Sequence, residues 1–216
     1  SFDFKPVGAQ DKMIVTQARH TWSTAKAAVF YNDTSYISMS RQGFYFLKDK
    51  MWDKQYGGFY NLVARDGTPK SIMKEVYGNA FAIYGLCAYY ECSGGTAALN
   101  LAKKAFMWLE KYSHDPVYKG YYQYLQRNGS HVIRTADIKS TSDIGYKDQN
   151  SSIHILEALT ALYKIWPDKL VKERLQEMLE LIRDKIVTQK GYLQLYFTYD
   201  WKPISYRDSP DSIIKL

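Results

Sequence analysis

Apolar residues recur at helical spacing in six stretches of the chain, and these stretches alternate between two kinds. The first, third and fifth are apolar nearly all round. The first predicts a helix from about Asp11 to Tyr31, with Ile14, Val15, Ala18, Trp22, Ala25, Ala28 and Val29, and with Arg19 and His20 embedded in it. The third runs from about Lys74 to Glu91 through Tyr77, Ala80, Phe81, Ala82, Ile83, Tyr84 and Leu86. The fifth opens on Asp148, Asn150, Ser151 and Ser152, whose short oxygens suit a helix start, and ends at Pro167. A helix apolar on every face is expected to be buried on every face. The second stretch, about Ser35 to Lys50, is mixed. The fourth, capped by Thr96, and the sixth, from Leu170 to Ile186, each oppose one apolar face to lysines, arginines and glutamates. All-round helices alternating with one-sided ones read as an inner and an outer layer.

The connections alternate as well. Tight breaks such as Asn32-Asp33-Thr34, Gly94-Gly95 and Pro167-Asp168 separate stretches of twenty or more residues. The long stretches resemble one another: GGFYNLVARDG at 57–67, KGYYQYLQRNG at 119–129 and KGYLQLYFTYDW at 190–201. Their glycines Gly58, Gly120 and Gly191 lie 62 and 71 residues apart, the mark of an internal repeat. Each repeat predicts a helical hairpin followed by a loop with a short strand, turning at Asp66-Gly67 in the first. Hairpins set side by side give either an open solenoid or a closed double ring. In both, the long loops gather on one face, where functional residues tend to sit.

Composition adds little against this and excludes something. The 216 residues are 46% hydrophobic and 24% charged, enough for one sizeable domain. Twenty Tyr, nine Phe and five Trp raise the aromatic share to 16%, which suits carbohydrate surfaces but also cores. The net charge of +7 is dispersed among acids, as in VKERLQEMLELIRDK, so a solvated surface is expected and not a nucleic-acid partner. Cys87 and Cys92, five apart on one helix, point to different faces and predict no disulfide. No run of 18 apolar residues and no signal peptide are visible, so no membrane span and a reducing, cytoplasmic setting are expected. There is no nucleotide loop and no close histidine and carboxylate cluster, so neither cofactor nor metal is expected.

The candidate chemistry lies in the N-terminal halves of the all-round helices: Arg19 in the first, Tyr77 in the third, Asn150 and His154 in the fifth. Asn150 and His154 share a face at i, i+4. Each has a plain alternative. Arg19 could form a buried ion pair, Tyr77 could be core, and His154 could be a satisfied core histidine with Glu157 a buried acceptor. His20, His114 and His131 are read as structural or exposed.

At this point the chain resembles the N-acylglucosamine 2-epimerase and cellobiose 2-epimerase superfamily. The resemblance rests on QARHTWSTAKAA at 17–28, GGFYNLVARDGTPKSIMKEVYGNAFAIYGLCAYYE at 57–91 and NSSIHILEALTALYKIWPD at 150–168, with a weaker DWKPISY at 200–206. It implies an all-α fold of helical hairpins, an (α/α)6 barrel with short strands in the long loops. It also implies epimerisation or aldose–ketose isomerisation of a reducing sugar, of the N-acetylglucosamine, cellobiose or mannobiose type, through an enediolate formed at C2. Arg19 would be the cationic donor to the reacting oxygens and His154 an active-site histidine near the carbonyl, both catalytic. Tyr77 and Asn150 would bind the sugar. The family's N-x-H-x-H has Ser152 in place of its first histidine, and its two acid/base histidines, one in an S-[FY]-G-H motif, have no counterpart here. Three hairpins are half of a six-hairpin ring. Residues 1–216 are therefore expected to be one domain, the N-terminal half of a protein of roughly twice the length. Alone it should be inactive. Its exposed inner wall predicts association between copies, a homo-oligomer or an aggregate.

Two other readings compete. A glycoside hydrolase or lyase on a similar helical barrel would need two carboxylates facing a cleft, for which Asp53, Asp115, Asp143 and Asp148 are available. A non-catalytic carbohydrate-binding module would need none. Loop 113–146 is where the choice of sugar is expected to lie.

Overall fold

A computed structural model describes residues 3, 5–132 and 146–204. Among them six helices form three antiparallel hairpins: α1 (Ile14–Tyr31) with α2 (Ser35–Phe46), α3 (Val76–Ser93) with α4 (Thr96–Tyr112), and α5 (Gln149–Ile165) with α6 (Lys169–Leu181). α1, α3 and α5 lie side by side as an inner wall, and α2, α4 and α6 back them. This is the (α/α)6-barrel type of repeat in partial form.

Alanines 18, 25, 80, 82, 98, 102, 105 and 158 are all buried, and their small side chains let neighbouring helices approach. Burial follows position in the wall. α3, flanked by α1 and α5, is covered almost all round, as its pattern predicts. α5 corrects the same expectation: Ile153, Leu156, Ala161, Tyr163 and Ile165 are only half-buried, because its second flank has no inner helix against it among the described residues. Thr96 does not cap α4, since Gly95 takes that position without a side-chain bond. Asp148 does cap α5, accepting from the Ser151 N–H at 3.0 Å.

Each outer helix ends in one widened turn. Trp52 N–H donates to Leu47 O, His114 to Leu109 O and Val187 to Ile182 O, all five residues back. The loop that follows lays a short strand against the strand opening the inner helix of its own hairpin. β1 (Lys12–Met13) pairs antiparallel with β2 (Leu62–Val63), β4 (Lys74–Glu75) with β5 (Tyr124–Leu125), and β6 (Lys147–Asp148) with β7 (Tyr196–Phe197). β3 (Pro69–Ser71) and β8 (Pro203–Ile204) extend the first and last of these pairs.

The strands fix a register for the repeat. Lys12 faces Val63, Lys74 faces Leu125 and Lys147 faces Phe197. In that register Gly191 is not the counterpart of Gly58 and Gly120. Asp53 N–H donates to Gly58 O and Asp115 N–H to Gly120 O, whereas Thr188 N–H donates to Tyr192 O. The third loop is one residue shorter, and Gly191 takes the place of Gly57 and Lys119.

Under the first two loops lies a buried ion pair. Lys74 Nζ donates to Asp53 Oδ2 at 3.1 Å and to Gly58 O, and Lys147 Nζ donates to Asp115 Oδ2 at 2.8 Å and to Lys119 O. Arg127 adds a second cation to Asp53 at 2.9 Å. Burial works to raise the Asp53 carboxyl, but Arg127 and Lys74 outweigh it and hold it far below the usual carboxylate range. Burial lowers Lys74 to about 8, against the pull of Asp53. Above each pair a tryptophan closes the loop. Trp108 Nε1 donates to Tyr56 O and Trp201 Nε1 to Tyr118 O, both at 2.8 Å. Gly120 has φ of +72°, and a Cβ there would stand 2.5 Å from the Trp201 ring, so only glycine fits.

Candidate active site

The strand register places Arg19, Phe81 and His154 at one equivalent position, each seven residues beyond the repeat lysine. Side by side on the inner wall, they touch. The Arg19 guanidinium carbon stands 4.6 Å from the Phe81 ring centroid, and the His154 ring centre 4.4 Å from it. Tyr77 closes the group, 5.0 Å from Phe81 and 5.1 Å from His154 between ring centres. Three of the four residues singled out in the sequence therefore meet around Phe81, which was read there as a packing residue only. Its signal was available: the constant offset from Lys12, Lys74 and Lys147.

Arg19 is exposed and has no carboxylate partner among the described residues, contrary to the ion-pair alternative. A guanidinium held on an aromatic face keeps its five donors for an incoming oxygen. His154 Nδ1 lies 2.7 Å from Glu157 Oε2. An ionised carboxylate only accepts, so Nδ1 carries the proton and Nε2 of the neutral ring is left with its lone pair. Glu157 is not the buried acceptor expected, since its side chain is 52% exposed and braces the histidine from the solvent side. Ser152, in place of the first histidine of N-x-H-x-H, is buried and donates to Asp148 O at 2.6 Å.

Asn150 does not join the Phe81 group. With Tyr77 it lines an adjoining cavity of about 240 Å³, whose walls include Gln123, Asp148, Ser151 and Tyr196. Three of the four carboxylates offered for a hydrolase are committed elsewhere. Asp53 and Asp115 sit in their ion pairs at 1% and 2% exposure, and Asp148 caps α5. Asp143, residues 133–145 of loop 113–146 and the last two residues of DWKPISY lie outside the described residues. His114 is structural, bonded to Glu177 at 2.8 Å, while His20 and His131 are exposed.

Comparison with known proteins decides the family. The profile of the N-acylglucosamine 2-epimerase (GlcNAc 2-epimerase) family matches residues 3–213. The chain belongs to this family. It is 31% identical over 195 residues to a cellobiose 2-epimerase of Bacteroides fragilis, covering 89% of this chain and 49% of that protein. The solved cellobiose 2-epimerase from Spirochaeta thermophila DSM 6192 superposes with a TM-score of 0.85 at 32% identity, over 92% of this chain and 49% of that one. A family 76 glycoside hydrolase from a bovine Bacteroides thetaiotaomicron strain shares the fold alone, with a TM-score of 0.66 at 21% identity over 82% of this chain and 36% of that one. The chain spans about half the length of the curated relatives it matches. Among the described residues no helix is long and apolar enough to cross a membrane.

Proposed function

We propose that residues 1–216 form the N-terminal half of an (α/α)6 toroid and carry the carbonyl-binding wall of a sugar 2-epimerase or isomerase. One observation carries the reading: Arg19 and His154, from hairpins far apart in sequence, flank a single ring, Phe81. An open-chain sugar lying on this wall would present its C1 and C2 oxygens to the Arg19 fork. Removing the C2 proton spreads negative charge onto those oxygens, and a fixed cation there lowers the barrier. The neutral Nε2 of His154 would accept from a sugar hydroxyl beside the carbonyl, while Tyr77 and Asn150 hydrogen-bond the chain. The substrate is a reducing sugar of the N-acetylglucosamine, cellobiose or mannobiose type, handled without bound metal. The proton carriers are assigned to the remainder of the ring, so the fragment alone should not turn over. The locked Asp53 and Asp115 speak against the hydrolase reading.

The test is incubation of the longest natural form with reducing sugars in heavy water, reading C2 by NMR. Deuterium at C2, lost in His154→Ala and Arg19→Ala, is the expected result. Hydrolysis products without C2 label would move the assignment to a glycosidase. No change in any sugar would leave a binding module.

A further inference from the structure

Helices α1, α3 and α5 hold two carboxylates between them, Glu91 and Glu157, and the wall uses them differently. Glu91, on α3, accepts from Lys26 Nζ of α1 at 2.5 Å and from Lys164 Nζ of α5 at 2.6 Å, and so ties the three helices together. Glu157 meets no lysine or arginine among the described residues. Its partner is His154 Nδ1, at 2.7 Å.

The repeat makes this placement informative. Ten residues past Lys12, Lys74 and Lys147, one helical turn beyond Arg19, Phe81 and His154, stand Trp22, Tyr84 and Glu157. In the first two repeats this position is an aromatic ring, and the two rings stack at 5.3 Å with 17° between their planes. The third repeat breaks that aromatic layer with a carboxylate, in the one helix whose preceding turn carries an imidazole at this face. At i, i+3 the carboxylate reaches the ring nitrogen. Packing does not demand it there, since the Glu157 side chain is half exposed. A neutral imidazole has two nitrogens and one proton, and the bond made by one nitrogen decides the role of the other. Without a partner at Nδ1, the proton of a free imidazole rests mainly on Nε2. His154 would then add a second donor beside the Arg19 fork, and the group around Phe81 would lose its nitrogen acceptor. The Phe81 and Tyr77 rings, at 4.4 Å and 5.1 Å, pack against the imidazole while Glu157 holds its Nδ1 edge.

We propose that Glu157 is a positioning residue: it keeps the proton on His154 Nδ1, and so keeps Nε2 as the acceptor that meets a hydroxyl of the open-chain sugar. It acts through the histidine and not on the sugar. The reaction it serves rests on the epimerase reading, while the choice of tautomer stands on the wall geometry alone.

The test uses the full-length protein. The imidazole nitrogen-15 shifts of His154 are read by NMR at about pH 8.5, above the ordinary imidazole range, with C2 deuteration of a reducing sugar followed alongside. The parent should show a protonated Nδ1 and a bare Nε2. Glu157→Ala should move the proton to Nε2 and lower kcat for C2 exchange by about 10- to 100-fold, with KM changed by less than about threefold. Its urea midpoint should match the parent's, because the carboxylate is half exposed. Glu91→Gln, at the other wall carboxylate, should leave the tautomer where it is. A proton on Nε2 in the parent would overturn the proposal. So would an unchanged tautomer in Glu157→Ala, or a rate loss matched by a fall in the urea midpoint. A tautomer that depends on Glu157, without C2 label in the parent, keeps the positioning and removes the epimerase reading. Label at an undiminished rate in Glu157→Ala does the reverse.

Discussion

The loop floors and the inner wall come from the same repeat and have been treated in opposite ways. Beneath the loops the first two repeats keep the same parts: Asp53 and Lys74 under Trp108, Asp115 and Lys147 under Trp201. Seven residues past each lysine, on the inner wall, the same position holds arginine, phenylalanine and histidine. Two floors built on the same ion pair hold the three hairpins in one geometry. Because they do, the wall position can differ in every copy and still place three unlike groups in contact. Architecture repeats in the floors, and chemistry diverges along the wall, from exposed Arg19 to buried Phe81.

The sharpest break of that comparison is His154→Phe, which copies the Phe81 choice into the third repeat. C2 exchange in the full-length protein should fall by about 10²–10⁴-fold. Stability in urea should change by less than about 1.5 kcal/mol, since a ring replaces a ring. A comparable loss of stability would mean that His154 belongs to the scaffold after all.

Next in size is Asp115→Ala, which strands the Lys147 ammonium in the core. Denaturant unfolding should show about 3–5 kcal/mol of lost stability. The double replacement Asp53→Leu with Lys74→Met should cost far less than Asp53→Ala alone. If it does not, the first floor is doing more than holding its loop.

Gly120→Ala and Gly191→Ala separate the register from the motif. Both glycines have positive φ, but only at Gly120 does the added methyl meet a ring. Backbone strain alone should cost Gly191→Ala about 1–2 kcal/mol, and Gly120→Ala should exceed it in the same thermal melt.

The smallest effect is in acid. Asp53 and Asp115 both have folded values below their unfolded ones, Asp115 through Lys147 and the Val117 and Tyr118 N–H groups working against burial. A depressed carboxyl stabilises the fold above its unfolded pKa, about 3.9, and that contribution is lost as pH falls through the folded value. Stability should therefore drop below about pH 4, and Asp53→Asn should flatten that limb of the curve.

Periodicity was enough to read the six helices, the inner and outer alternation and the loops on one face, because burial in a helical double layer writes a 3.6-residue pattern. The convergence of Arg19, Tyr77 and His154 was legible for the same reason. What escaped had no periodic trace. Phe81 looked like any apolar residue until the strands aligned it with Arg19 and His154. Asp53 and Asp115 read as loop carboxylates available to a cleft, since nothing local announces that Lys74 and Lys147 reach them from 21 and 32 residues away. The one-residue deletion in the third loop was hidden by Gly191, a glycine at the wrong step. The half-covered α5 could be read only from the count of three hairpins and not from its own pattern, because hydrophobicity records what a surface is made for, not what covers it.

The two tryptophans give the chain a direction. Trp108 belongs to the second hairpin and fastens the loop of the first, while Trp201 follows the third hairpin and fastens the loop of the second. Each unit is thus latched by its successor, like tiles laid with an overlap. In such an array the energy of a loop is shared across a boundary, so a unit released from its downstream neighbour loosens from its C-terminal side first. Hydrogen exchange should be able to watch that order, with protection of the 53–60 amides tracking the docking of α4 and that of 115–122 tracking Trp201.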